Sequence, residues 1–305
     1  MLVALGIDAL IGWPDALFRR IGHPVTWIGA LIQWLEDRLH RTDAERARRA
    51  GTLTVAASLG VTLALALLIA LLLPSGPVGA ILAGLCAWPL VAARSLDAHV
   101  SAVARPLAAG DTAGARQAVS MIVGRDPARL DRSGIARAAL ESLAENASDG
   151  VVAPLFWGVI AGLPGIALYK TINTLDSMIG HRTVRHLHFG RAAARLDDAV
   201  NWAPARLTAG LLALTAPRPY RAAAVALRDA RAHRSPNAGW PEAAMAGGLG
   251  VRLSGPRIYA DTIADEPWLN AGAPDPEPPD LARGLSHYRR AMALMAALLA
   301  ALAFV

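Results

Sequence analysis

Two uncharged runs, residues 51–73 and 77–93, flank the turn Pro74-Ser75-Gly76-Pro77. The first has 23 residues, about 34 Å as an α-helix and enough to cross a hydrocarbon core. Together they predict a transmembrane hairpin. A third uncharged run, VVAPLFWGVIAGLPGIALY at 151–169, is punctuated by Pro154, Gly158, Gly162, Pro164 and Gly165. Polar clusters border it on both sides, ESLAENASDG at 141–150 and YKTINTLDSMIGHR at 169–182. Alanine and leucine dominate and β-branched alternation is scarce, so the reading is all-α. The expected architecture is a polytopic integral membrane protein with one functional domain over residues 1–305. Its parts are an N-terminal stretch (1–50), the hairpin (51–93), a cytoplasmic helical region (94–139) and a polar core (140–206). A cytoplasmic region (217–290) and an apolar C-terminal helix (291–305) follow, with residues 274–279 as an extended, proline-rich acidic linker.

Composition sharpens this picture. The chain is 54% hydrophobic and 18% charged, with mean hydropathy +0.36, too apolar for an ordinary soluble domain and too polar for a compact transporter. Basic residues crowd 19–49, 94–137, 170–195 and 218–290 and are absent from the turn at 74–77. The positive-inside rule therefore puts the long loops in the cytoplasm and that turn outside. A single crossing by 151–169 would split the two polar clusters across the membrane. A broken or re-entrant segment, tolerated where protein buries it, is the favoured reading over a simple crossing. Residues 1–13 lack a basic leader and carry Asp8 within their apolar run, unlike a signal peptide. The single cysteine, Cys86, allows no intrachain disulfide and reads as a small buried residue.

The polar clusters carry the candidate chemistry. In a helix, Glu141, Glu145 and Asp149 fall at i, i+4 and i+8 and form an acidic stripe. Like charges at this spacing destabilise a helix by about 0.2–0.5 kcal/mol per pair, so a cation should face them. Magnesium suits carboxylates and brings phosphates with it; a solvated face neutralised by Arg137 is the alternative. Lys170, Asn173, Thr174 and Ser177 share a face with Asp176 at its edge, a set suited to phosphate or an oxyanion. The alternative for Lys170 is a snorkelling anchor, yet it is the only lysine beside 29 arginines. Asp197 and Asp198 either hold a metal or pair with Arg195 and Arg206. The glycine-rich stretch SPNAGWPEAAMAGGLGVRLSGP at 235–256 matches neither the P-loop nor the Rossmann spacing. No HExxH is present, and a zinc site is not expected.

In order along the chain, HPVTWIG (23–29), IVGRD (122–126), ESLAENASDGVVAPLFW (141–157), YKTINTLDSMIGHR (169–182), FGRAAARLDDAVNWAPAR (189–206) and the 235–256 stretch resemble the cobinamide-phosphate synthase family of cobalamin (vitamin B12) biosynthesis. The early motif departs from the family's Gly-Asp-Pro or Gly-Glu-Pro, since Trp13 precedes Pro14 and the acid follows as Asp15. The resemblance implies ATP- and Mg²⁺-dependent amide formation between adenosylcobyric acid, a corrinoid, and (R)-1-amino-2-propanol or its O-phosphate. The expected setting is the cytoplasmic face of a bacterial inner membrane. The cluster residues fit this scheme, with catalytic roles expected for Lys170, Asn173, Asp176 and Ser177 and metal binding for Glu141, Glu145, Asp149, Asp197 and Asp198. Substrate binding falls to His23, Arg125, Asn146, Arg182, Asn201, Arg206, Asn237 and Glu242. The lipid bilayer and other late cobalamin-assembly membrane enzymes are the expected partners, and nucleic acid is not. The competing classes are a Mg²⁺-dependent intramembrane transferase of CDP-alcohol or prenyl type, whose spaced aspartates are missing, and a transporter, which needs more spans.

Overall fold

The computed structural model describes every residue except 124–129, 182, 260, 261, 265, 304 and 305, with the backbone alone described at 257–259 and 262–264. The first helices are α1 (Leu2–Leu10), α2 (Asp15–Ile21), α3 (Pro24–Leu39), α4 (Ala44–Leu72) and α5 (Pro77–Ala87). Next come α6 (Ala93–Ala108), α7 (Thr112–Ser120), α8 (Arg132–Asn146), α9 (Ala153–Leu175) and α10 (Arg191–Val200). The last are α11 (Trp202–Thr215), α12 (Pro219–Asp229), α13 (Gly239–Leu249) and α14 (Pro278–Leu302). Helix starts follow local chemistry. Asp43, Asp111 and Asp131 cap α4, α7 and α8 through their side chains, and proline opens α3, α5, α12 and α14. The exception to the all-α expectation is small. Strands β1 (Leu253–Ser254), β2 (Arg257–Tyr259), β3 (Thr262–Ala264) and β4 (Trp268–Leu269) form two antiparallel pairs, β1 with β4 and β2 with β3.

Two compact units are each assembled from two stretches, Met1–Ala92 with Ala153–Asn201 and Ala93–Val152 with Trp202–Val305. In the first, α4 is inverted relative to a helix of a soluble protein. Gly51, Thr54, Ser58, Thr62 and Ala66 face inward, while Leu53, Leu65, Leu67, Leu68 and Leu71 face out. Lipid rather than water suits that outer face, and small polar residues suit the helix contact. Thr62 meets Thr171 of α9 hydroxyl to hydroxyl at 3.0 Å. Among the described residues, three stretches, Ala44–Leu72, Pro77–Ala108 and Arg132–Gly180, are long and apolar enough to cross a membrane.

The expected break in 151–169 is present. Ala161 (φ −132°) and Gly162 (φ +61°) leave helical geometry just before Pro164. A Cβ at Gly165 would lie 2.1 Å from the Trp157 carbonyl oxygen, although a straight helix holds these positions roughly 12 Å apart along its axis. The segment is therefore sharply bent. Both halves reach one end of α10: Trp157 Nε1 donates to Val200 O at 3.1 Å, and Tyr169 Oη donates to Asn201 Oδ1 at 2.9 Å.

Some expectations change. The turn at 74–77 joins α4 to α5, but α5 has only 11 residues, about 16 Å. It packs on α1 and α9, whereas α4 packs mainly on α9 and α3. Cys86 is exposed, because α5 buries Gly79, Gly84 and Ala87 instead. In the second unit α13 is buried all round, its small residues admitting neighbours closely; a Cβ on Gly247 would lie 2.9 Å from Ala222 Cα. The apolar segment expected at 291–305 forms, through Leu302, the second half of α14, which buries Leu281, Leu285, Tyr288, Met292 and Met295. Residues 274–279 are no free linker: Asp275 is held by Arg137 at 2.9 Å and by Arg252 at 2.6 Å.

Candidate active site

Each polar cluster coincides with a π-helical turn, Ala147–Val152 and Asp176–Gly180. Such turns widen the helix and are frequent at functional positions. The first one corrects the acidic stripe. α8 ends at Asn146, so Asp149 leaves the i, i+4, i+8 register that places Glu141 and Glu145 together. Glu141 is buried, and its Oε1 accepts from the Ser254 backbone N–H at 2.8 Å. That bond steadies a turn in which Ser254 adopts φ +60°. Glu145 and Asn146 are exposed and Asp149 is half-buried. Asn146 Nδ2 donates to the Ser142 carbonyl at 2.9 Å. Arg137, considered as the stripe's counterion, pairs instead with Asp275 and lies over the Trp268 ring.

Elsewhere in the second unit, Arg206 is the centre of the 235–240 loop. Its guanidinium donates to Asn237 Oδ1 at 2.9 Å and to the Trp202 and Pro236 carbonyls. It also lies 4.6 and 4.7 Å from the Trp202 and Trp240 ring centroids. Burial and the nearby charge of Arg231 lower its pKa. Beneath the loop, His233 Nδ1 accepts from the Ser235 N–H, leaving Nε2 3.7 Å from Glu242 Oε1. Both side chains are buried. Sequence reasoning named Arg206, Asn237 and Glu242 but missed His233.

The first unit brings His23, Lys170 and Asn173 into one neighbourhood. Lys170 Nζ donates to Asn173 Oδ1 at 3.1 Å. Ser177 and Thr174 donate back to the Asn173 and Lys170 carbonyls at 2.8 and 2.7 Å, leaving their lone pairs as acceptors. His23 caps α3, its Nδ1 accepting from the Val25 N–H at 3.2 Å, and packs edge-on against Trp13 at 5.0 Å. Burial, then the charge of Lys170, lowers the His23 pKa. The two aspartates of α10 diverge. Asp197 Oδ2 accepts from Asn201 Nδ2 at 3.0 Å, and Asn201 is fully buried beneath Tyr169. Asp198 instead opens onto a surface cavity of about 440 Å³ and lies within electrostatic reach of Asp176, as does His181. Arg125 and Arg182 fall outside the described residues. Among the described residues, no group of three or more His, Cys, Asp or Glu side chains is arranged to hold a metal.

Sequence reasoning also missed the cavity's basic lining, Arg48, His188, Arg191 and Arg195. The signal was present in RHLHFGRAAAR (185–195), where Arg191 and Arg195 stand one helical turn apart.

These features define a predominantly helical protein with segments long and apolar enough to cross a membrane. Residues 1–288 match the CobD/Cbib protein family, and the chain belongs to that family. It is similar to the cobalamin biosynthesis protein CobD of Rhodobacter capsulatus, 66% identical over 97% of this chain and 94% of that protein. The proteins of the same description from Brucella suis biovar 1 and Sinorhizobium sp. are 46% and 45% identical, over 99% and 100% of this chain and 96% and 98% of theirs. No solved structure matches the chain.

Proposed function

We propose that this protein works in cobalamin biosynthesis as the ATP-dependent ligase that joins the carboxylate of adenosylcobyric acid to (R)-1-amino-2-propanol or its O-phosphate. The observation that carries the reading is family membership over residues 1–288. The neighbourhood of Lys170, Asn173 and His23 supports it. A carboxylate does not accept an amine unaided. The corrin carboxylate oxygen first takes the γ-phosphoryl group and releases ADP. The amine nitrogen then attacks the acyl carbon, phosphate leaves, and the proton shed by the amine goes to the phosphate or to water. Lys170, supported by Asn173, suits the oxyanion that develops on the acyl oxygen, and such contacts act strongly where water is excluded.

Magnesium fits the carboxylates Asp176 and Asp198 better than the 141–149 stripe, because Mg²⁺ commonly takes one or two carboxylates together with substrate phosphates. When bound, it would offset phosphate charge. Activity at the cytoplasmic face of an inner membrane accords with the basic loops. Purified protein incubated with cobyric acid, either amine, ATP and Mg²⁺ should form cobinamide or cobinamide phosphate by mass, with one ADP per amide. Product formed without ATP consumption, or ATP turnover without an amide product, would overturn the ligase reading.

A further inference from the structure

The cavity beside α10 is a built feature of the first unit. Its floor is the 183–190 loop, held by buried Glu36, which accepts from Arg185 Nε at 2.6 Å and from His186 Nε2 at 2.9 Å. Phe189 anchors the loop in the core with Ile32, Val55 and Ile179. Gly51 lets the loop lie directly on α4: a Cβ there would sit 1.8 Å from Phe189 O. Arg48, nearly one turn before Gly51, consequently lines the same cavity as Arg191 and Arg195.

Charge is unbalanced there. Among the described residues, Arg48, Arg191 and Arg195 form no ion pair and Asp198 is the only carboxylate in the lining. Gly190, the cap residue of α10, supplies no side-chain cap, so the first-turn N–H groups add a positive end. A solvated basic surface needs neither a clamped floor nor a concave shape. Like charges held one turn apart on α10 carry a small cost that a bound anion would reverse.

We propose that this cavity binds a multiply charged phosphate group, with Arg48, Arg191 and Arg195 as its ligands. Its volume suits the phosphate chain of a nucleoside triphosphate, the phosphate of a phosphorylated amine or an anionic lipid headgroup. Choosing the nucleotide among these rests on the ligase reading; the phosphate chemistry does not. Asp198 in the lining, with Asp176 within its electrostatic reach, would carry a divalent cation accompanying the phosphates.

The test is titration calorimetry on the full chain in zwitterionic nanodiscs with ATP, inorganic tripolyphosphate and 1-amino-2-propanol O-phosphate. A parallel arm uses nanodiscs containing phosphatidylglycerol and scores retained lipid by mass. At least one arm should bind saturably and weaken with salt. Arg191→Gln and Arg48→Gln should each weaken it about tenfold or more, and Arg195→Glu should abolish it. Arg20→Gln, outside the cavity, should leave it unchanged. The arm that responds identifies the source of the phosphate. Binding unaffected by all three cavity variants, with melting temperatures preserved, would overturn the proposal, as would no saturable binding in any arm. The two readings fail separately. Amide synthesis with unchanged ATP affinity in the cavity variants removes the nucleotide assignment and spares the ligase. Variant-sensitive binding in a protein that makes no amide does the opposite.

Discussion

Replacing Lys170 by arginine separates a functional ammonium from a membrane-boundary anchor. Lys170 Nζ is 3.1 Å from Asn173 Oδ1 and close enough to His23 to depress that residue's pKa. A planar guanidinium keeps the charge and the ability to snorkel, but its fork is longer and broader than the compact ammonium that Asn173 steadies. If Lys170 stabilises a developing oxyanion, losing its placement should lower turnover roughly 100- to 1000-fold, about 2.7–4 kcal/mol of barrier. Lys170→Met should lose at least as much. A second readout separates chemistry from folding. In the methionine variant the positive charge beside His23 is gone, so its titration should move up toward the ordinary 6.5, while its burial still holds it down. In the arginine variant the titration should barely move although activity collapses. Turnover would be measured by product mass at matched membrane levels, and His23 by NMR of labelled protein in nanodiscs. A Lys170→Arg enzyme with near-normal turnover would refute the argument and leave Lys170 as an anchor.

Three further perturbations test the framework around that residue. Gly51→Ala pushes a Cβ into backbone at Phe189, so it should cost about 1–3 kcal/mol or more in thermal unfolding and weaken anion binding at the cavity; a silent variant would contradict the close approach. Burial favours a protonated Glu36, but hydrogen bonds from His186 and Arg185 outweigh it and hold the carboxyl below its ordinary 4.5. Its contribution should be complete above pH 4.5 and vanish as pH falls through the folded value. Glu36→Gln, costing about 1–3 kcal/mol, should flatten that acid limb in a melting series. Cysteines introduced at Asn146 and Ser177 should both be labelled from the cytoplasmic side, and one at Ser75 only from outside; opposite-side labelling of the first pair would exclude a dipping segment.

What the sequence disclosed and what it hid divide along a physical line. Runs of apolar residues long enough to span are a local property, as is the pairing of Gly162 with Pro164, which a straight helix accommodates poorly. The long first apolar run and the break could therefore be read directly. The π-helical turns could not, because ASDGVV and DSMIG contain nothing that an α-helix forbids. The assumed α register then placed Asp149 on a stripe that ends at Glu145. In the sequence Arg137, four residues before Glu141, reads as one alternative counterion for that stripe, whereas its partner Asp275 lies 138 residues on. Cys86 reads in the sequence as a small interior residue, though only the packing of α5 decides which face is covered. The cavity was hidden most completely. Its arginines were visible as charge, but the feature that makes them converge is Gly51, which in the sequence is merely one small residue at the head of an apolar run. In the fold it is where a loop more than 130 positions downstream comes down on α4. A glycine at such a crossing looks the same as one filling lipid-facing space until the loop is seen against it. For that reason Gly51→Ala, set beside a glycine with open space such as Gly60→Ala, discriminates more sharply than removing any one arginine. The same added methyl should disturb the cavity at the first position and leave it intact at the second.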